Sequence, residues 1–344
     1  MSITDALQRA VDGENLSREE AYTVMMQIMS GDATDAQIAG FLVALRMKGE
    51  TIEEITGFAQ AMREKAVRIE VDRHPLVDTC GTGGDALDTF NISTATAFVA
   101  AGAGIAVAKH GNRSVTSQCG SADVLEELGY NLNLPPERVR ESIEEIGIGF
   151  LFAPAFHPAM KYAIGPRRQM GIRTVFNILG PLTNPAGATA QVMGVFAPSL
   201  TEPLARVLGN LGAQRAFVVH GLDGLDELSI SGATQVSELN PSGVTTYRVH
   251  PQDFGLTPAS VHELRGGSRR ESADLLVALL RGEVKGAKRD VVLLNAAAAI
   301  TAGNLAPTIA DALPIACEAI DSGRAYQCLK ALLEFSARVS EEPK

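Results

Sequence analysis

Positive charge, cysteine and long apolar runs are all scarce in this chain. Its 344 residues carry 30 Lys+Arg against 40 Asp+Glu, a formal net charge of -10. Most of such a surface repels phosphate polymers and anionic membranes, so neither nucleic acid nor a membrane is expected as a partner. A small anion is still admitted, because basic side chains and backbone N–H groups in a pocket override the overall balance. Cys80, Cys119, Cys317 and Cys328 show no Cys-x-x-Cys spacing and are too few for a disulfide scaffold, which fits a reducing cytoplasm. The longest nearly apolar stretch, Ala95 to Ala108, contains two glycines and falls short of the about 20 residues a membrane helix needs. The opening MSITDALQRAVDGEN lacks the basic-then-apolar order of a secretory signal, and a cytoplasmic location is the expectation. No fixed-period repeat is visible, and only Ser340–Lys344 reads as a disordered tail.

What is present fits a folded globular protein, with 46% hydrophobic and 20% charged residues. The length suggests two domains at about 150 residues each. Ser17-x-x-Glu20, Thr34-x-x-Gln37 and Thr51-x-x-Glu54 match the capping-box pattern, and each precedes an amphipathic run, so residues 1–71 are expected to form a helical domain. Met25 and Met29 fall on its apolar face and read as core. From residue 72 the texture becomes that of an α/β domain, expected to extend to 344. Strands are expected at Leu76–Thr79, Ile105–Lys109, Ile148–Phe152, Gln191–Phe196 and Arg215–His220. Val244–Val249 alternates like an exposed antiparallel strand, which makes the mostly parallel sheet mixed. Helices are expected near 95–102, 121–129, 136–147, 201–211, 269–281, 289–302 and 312–338.

Five segments carry chemistry. Cys80-Gly81-Thr82-Gly83-Gly84-Asp85 follows a strand and lets backbone N–H groups approach a phosphate. Ala86 stands where a dinucleotide fingerprint needs glycine, and no Gly-Lys-Ser/Thr occurs. Asn91-Ile92-Ser93-Thr94 opens a helix whose free N–H groups favour an anion. Lys109-His110-Gly111-Asn112-Arg113-Ser114-Val115-Thr116-Ser117 offers two cations, an amide and three hydroxyls at the carboxyl end of a strand, a mixture suited to pyrophosphate or a sugar phosphate. Asp226-Glu227 in a loop after a strand suits Mg²⁺, and among Arg167, Arg168 and Arg173 one cation suits a substrate carboxylate. Each segment has a plain alternative: a tight turn, an N-cap, a solvated loop, a surface acid pair, a helix-end arginine. The succession of three such segments after strands within fifty residues favours a shared ligand site.

Taken together, GTGGD at 81–85, NIST at 91–94, KHGNRSVTS at 109–117, GSADVLEELG at 120–129, RTVFNILGPLTNP at 173–185 and DELS at 226–229 closely resemble the anthranilate phosphoribosyltransferase family, in its order and spacing. The resemblance covers nearly the whole chain. It implies a nucleoside phosphorylase-like fold, with a helical domain joined by part of about 165–185, an α/β domain, an active site at the hinge and a homodimer through the helical domains. It implies a pentosyltransferase of tryptophan biosynthesis that joins phosphoribosyl pyrophosphate to the amine of anthranilate. Gly81, Gly84, Asp85, Thr89, Asn91, Ile92, Ser93, Thr94, the run from Lys109 to Ser117 and Ser121 then surround phosphoribosyl pyrophosphate. Ser93, Asp226 and Glu227 serve Mg²⁺, and Gly81, Asn112 and Arg167 meet anthranilate. No general base is assigned. Gln118 and Cys119 depart from the more usual Lys and Ser; Cys119 reads as a small filler, and His110 and His157 as satisfied structural histidines. Two rivals read less well. A pyrimidine-nucleoside phosphorylase shares the Lys-His-Gly start but not the continuation Asn112-Arg113-Ser114-Val115 with Asp226-Glu227, and a nucleic-acid-binding relative requires a basic surface.

Overall fold

The computed structural model describes residues 1–84, 87–114 and 119–341. Capping boxes start its first four helices, α1 (Ile3–Val11), α2 (Arg18–Ser30), α3 (Asp35–Lys48) and α4 (Ile52–Lys65): in each, a hydroxyl accepts from the N3 amide while the N3 side chain bonds back. The Ser17, Thr34 and Thr51 boxes are as the sequence indicates. The one at Ser2 falls outside that pattern, because Asp5 replaces the usual Glu or Gln at N3. Gly31, at φ 81°, closes α2 in the left-handed region. Met25 and Met29 are buried with Phe41, Leu42 and Phe58, so the methionine stripe is core.

The rest of the chain builds one seven-stranded sheet. It runs β1 (Leu76–Gly81), α5 (Ile92–Gly102), β2 (Ala106–Gly111), α6 (Ser121–Glu127), α7 (Pro136–Ile146) and β3 (Ile148–Phe152), then α8 (Ala153–Phe156), α9 (Lys161–Met170) and α10 (Phe176–Leu179). There follow β4 (Ala190–Gly194), α11 (Thr201–Asn210), β5 (Arg215–Gly221), β6 (Thr234–Asn240) and β7 (Gly243–Val249), and then α12 (Arg269–Leu280), α13 (Ala287–Ala302), α14 (Ile309–Asp321) and α15 (Arg324–Glu341). The strand order is β3-β2-β1-β4-β5-β6-β7, with the first five parallel and the last two joined antiparallel. The chain steps outward from β1 to β2 and β3, then returns to lay β4 on the other side of β1. That reversal opens a crevice beyond the carboxyl ends of β1 and β4, the usual ligand position in such sheets.

One face of the sheet packs on α5, α7, α13 and α15, with α12 and α14 against those helices; the other, through α11, shares a core with α1–α4 and with Ala163, Phe176 and Leu179 of α9 and α10. Arg63 of α4 crosses between these parts, donating from Nε to the Leu182 carbonyl (2.7 Å) and from Nη1 to the Leu211 carbonyl (2.9 Å). Burial, with Arg68 nearby, lowers its guanidinium to about 10.

Three expectations need correction. β6 has no counterpart among the expected strands, because Thr234-Gln-Val-Ser-Glu-Leu-Asn240 is mostly polar and gains its strand from pairing with β5 and β7. The single helix expected over 312–338 is two, α14 and α15, separated at Gly323, whose φ of 78° an α-helix cannot hold. Ser340 is not tail but helix, its hydroxyl donating to the Ser336 carbonyl at 2.8 Å.

Glu54 is a node of the helical part. Fully buried, it accepts from the Leu16 amide (2.9 Å), the Thr51 amide (2.8 Å) and Lys48 Nζ (2.9 Å). Glu54→Ala takes the counter-charge from Lys48, which keeps only Asn15 Oδ1 and the Gly49 carbonyl, and strands two amides; it is expected to lower stability by about 3 kcal/mol, with Glu54→Gln losing less because its amide oxygen still accepts. Chemical denaturation measures both; equal, small losses would show that the node contributes little.

Candidate active site

The crevice is shaped first by glycine. Gly81 and Gly194 are register partners at the ends of β1 and β4, and a Cβ on either would collide with Asp226, on its carboxylate or its carbonyl oxygen respectively. Their missing side chains let the loop after β5 lie across the strand ends. The Thr82 amide donates to the Gly194 carbonyl (2.9 Å), and the Gly83 amide donates to Asp226 Oδ2 (2.8 Å). Gly83 and Gly84 turn the chain at φ 65° and 82°. Arg173 donates to the Gly84 carbonyl and lies over the Phe196 ring, 4.6 Å from its centroid.

The start of α5 faces the same space. Asn91 occupies the N-cap position without capping, its Nδ2 donating instead to the Cys119 carbonyl at 3.0 Å. The plain N-cap reading is therefore set aside. The Thr94 hydroxyl is buried with no hydrogen-bond partner among the described residues, and Ile92 is buried, so only the Ile92 backbone is offered to a ligand.

Lys109 lies beneath the crevice, only 3% exposed. Its Nζ donates to the Thr79 carbonyl (2.6 Å) and to Ser93 Oγ (3.3 Å), while Thr79 Oγ1 donates to the Ser93 carbonyl (3.0 Å). Asp78 is its buried counter-charge, accepting from the His110 amide (3.1 Å) and from Asn184 Nδ2 (2.8 Å). Burial pushes the Asp78 carboxyl up and the Lys109 ammonium down, and their mutual attraction opposes both shifts. Glu227 also favours the charged form of Lys109. Asp78, Thr79 and Asn184 are unmarked in the sequence; the TNP run around Asn184 is the only signal for any of them.

The loop after β2 is drawn tight. Ser121 Oγ (3.3 Å) and the Ala122 amide (3.2 Å) donate to the Asn112 carbonyl, and a side chain at Gly111 would strike Ser121. Thr89 pairs with Arg265 across an isolated bridge. Arg113 is not a free cation here: it grips Glu126 in a fork (2.6 and 2.7 Å) and reaches Asp123 at 3.1 Å. Of the sequence-derived site residues, Asp85, Val115, Thr116 and Ser117 lie outside the described residues.

Asp226 and Glu227 sit in a loop set by Asp223, which accepts from the Leu225 amide (3.2 Å) and from the hydroxyls of Ser229 (2.6 Å) and Ser231. Asn295 of α13 clamps Leu228 from both sides, accepting from its amide (3.0 Å) and donating to its carbonyl (2.9 Å). Neither supporting residue carries a signal in the sequence.

Arg167, on α9, stands over the Phe176 ring at 5.1 Å, and burial lowers its guanidinium below the usual value. No carboxylate pairs with it among the described residues. Arg168 is exposed. His110 and His157 need correction: they face each other with centroids 5.1 Å apart, and the Nε2 of each is buried without a partner among the described residues. Burial drives them down to about 3 and about 4, against the Gly180 and Thr183 carbonyls, so both rings stay neutral near pH 7. Cys119 is buried beside the loop, as a filler would be.

The chain is similar to known proteins over its whole length. Residues 4–66 match the helical bundle domain of a glycosyl transferase family and residues 73–326 match its a/b domain. The anthranilate phosphoribosyltransferase of Symbiobacterium thermophilum is 55% identical over 98% of each chain. The crystal structure of the Thermus thermophilus anthranilate phosphoribosyltransferase superposes with a TM-score of 0.93 at 48% identity, covering 97% of this chain and 99% of that one. The Saccharomyces cerevisiae enzyme in complex with phosphoribosyl pyrophosphate and Mg superposes with a TM-score of 0.89 at 27% identity, covering 98% of each chain. A likeness of this extent, falling on both domains and on the crevice between β1 and β4, establishes that the chain belongs to the anthranilate phosphoribosyltransferase family.

Proposed function

We propose that the crevice at the ends of β1 and β4 transfers the phosphoribosyl group of phosphoribosyl pyrophosphate to the amine of anthranilate, giving N-(5-phosphoribosyl)anthranilate and pyrophosphate. The observation that carries this reading is the meeting at one strand-order reversal of three features: the glycine turn after β1, an α5 start without a side-chain cap, and the loop bearing Asp226 and Glu227. Backbone donors of that turn and helix start are assigned to the donor's phosphates, together with the loop from Lys109 to Ser114 and Ser121. Asp85 and Val115–Ser117 belong to the assignment on sequence grounds alone.

Ser93, Asp226 and Glu227 suit Mg²⁺. Two hard carboxylates and a hydroxyl leave positions for water and substrate oxygens, as that ion prefers, and no group of three or more His, Cys, Asp or Glu able to hold a metal occurs among the described residues. Bound there, Mg²⁺ offsets negative charge on the pyrophosphate oxygens.

In the reaction the ribose C1–O bond to pyrophosphate breaks, a C1–N bond forms, and the amine releases a proton to solvent. Fixed N–H groups stabilise the leaving group's charge without reorganising. An aromatic amine is nucleophilic when neutral, so positioning supplies much of the rate and no side chain is assigned as a base. Arg167, desolvated on Phe176 and without an acid partner among the described residues, is assigned to the acceptor's carboxylate, and Gly81 and Asn112 are assigned to the acceptor with it on sequence grounds.

The division into a helical domain over 1–71, joined by part of about 165–185, and an α/β domain over 72–344 belongs to the same reading. So does a homodimer through the helical part. Val11 (65% exposed) on α1, Met47 (84%) on α3, and Ile164 (45%) and Ile172 (47%) on and after α9 leave apolar surface on neighbouring elements. No helix among the described residues is long and apolar enough to cross a membrane, and a cytoplasmic location is proposed.

Three outcomes are expected. Arg167→Ala raises the KM for anthranilate by about 10–100-fold, the worth of one charge-assisted contact, and barely moves that for phosphoribosyl pyrophosphate; equal effects on both substrates would sink the assignment. Asp226→Asn with Glu227→Gln weakens Mg²⁺-dependent binding of phosphoribosyl pyrophosphate in calorimetry, and unchanged metal dependence would remove the pair from the metal site. Sedimentation at micromolar concentration finds a dimer that Met47→Glu with Ile164→Glu converts to monomer; a wild-type monomer would overturn the dimer.

A further inference from the structure

Asp123, at the start of α6, touches no group assigned to substrate except through Arg113 and the Ser114 amide, yet four donors converge on its carboxylate. Its side chain is 3% exposed. Oδ2 accepts from the Ser114 amide (3.0 Å) and the Gly120 amide (2.9 Å); Oδ1 takes Arg113 Nη1 (3.1 Å) and Arg269 Nη2 (2.9 Å). A capping box needs only the Gly120 bond. The other three reach outside α6, to the loop after β2 and to the first turn of α12.

The two amides on Oδ2 belong to opposite ends of one loop. Gly120 is the residue that lets those ends meet, since a Cβ there would collide with the Ser114 amide. The Ala122 and Ser121 bonds to the Asn112 carbonyl tighten the same junction, and Asn91 Nδ2 on the Cys119 carbonyl ties it to the start of α5. One buried carboxylate thus joins the two ends of the loop after β2, and the separate Asn91 bond ties the far end to the start of α5.

The charges around it are arranged in pairs. Arg113 and Arg269 share Asp123 and Glu126, with Arg269 Nη1 at 3.8 Å from Glu126. Two cations serve two carboxylates, so Asp123 has a second counter-ion in Arg269 beside Arg113.

We propose that Asp123 is a positioning residue for phosphoribosyl pyrophosphate, closing the ends of the loop after β2 and holding Arg113 at its edge, with Arg269 as its standing counter-ion. This rests on the donor-site reading above. The carboxylate never meets the substrate; it fixes main-chain donors and one guanidinium where the donor's phosphates arrive.

Asp123→Asn is the test, because its NH₂ cannot accept from an amide or an arginine. The KM for phosphoribosyl pyrophosphate is expected to rise about 10–100-fold, as when an outer supporting group is lost. The KM for anthranilate and kcat at saturating donor should stay within about threefold, the split expected of a residue that supports the binding of one substrate only. A merely structural role would lower Tm and the active fraction while leaving both KM values unmoved, and that result would overturn the proposal. Should Asp123→Asn fail to fold, Arg269→Gln decides it, at a side chain 51% exposed: a several-fold rise in donor KM alone supports the proposal, and an unchanged donor KM refutes it. Wild-type turnover is measured first. Its absence would remove the donor-site reading and the proposal with it, whereas wild-type turnover with an unmoved donor KM in the variants removes Asp123 alone.

Discussion

The buried pair of Asp78 and Lys109 is the constraint on which the crevice depends. Two ionisable groups taken out of water on adjacent strands are costly unless every lone pair and proton is used. Here their hydrogen bonds join separate parts: Lys109 holds the end of β1 to the start of α5, and Asp78 holds the β2 backbone to Asn184, which also donates to the Ala108 carbonyl. The helix start, the glycine turn and the segment entering β4 are therefore fixed to one another before any ligand arrives. Preorganised donors of this kind stabilise charge without a reorganisation cost at the moment of reaction.

The same economy governs the surface of the site. In a chain with net charge -10, the cations near the crevice are all restrained, and differently. Lys109 is sunk beneath the helix start, Arg113 is held by Asp123 and Glu126, Arg173 lies on Phe196 and donates to the Gly84 carbonyl, and Arg167 lies on Phe176 with no acid partner among the described residues. Of these four, Arg167 is the half-buried guanidinium left with an aromatic face alone, as recognition of a carboxylate requires. Glycine has a parallel role: Gly81, Gly194, Gly111 and Gly120 are sites where another chain segment occupies the space of a side chain.

Much of this is legible in the sequence because it is local. Capping boxes at Ser17, Thr34 and Thr51, the five apolar parallel strands and the order of the glycine, NIST and KHGNRS segments all express short-range chemistry. β6 is illegible because its residues are polar and its partners supply the reason to be a strand. The break at Gly323 is readable as a glycine, but an apolar pattern continues on both sides and hides it. His110 and His157 read as satisfied histidines, since a sequence does not record which ring nitrogen lacks a partner.

The fold class, the family and the segments that surround the crevice follow from the order of residues along the chain, because periodicity, caps and motif order are properties of neighbouring residues. What each side chain does there follows from the folded arrangement. It turned Lys109 from a loop cation into a buried strut and Asn91 from a cap into a tie to Cys119. It also brought Asp223 and Asn295 under the acidic loop and gathered four donors on Asp123. Those roles rest on burial and on partners far apart along the chain, as Asp123 and Arg269 are, and contacts of that kind come into being only when the sheet closes.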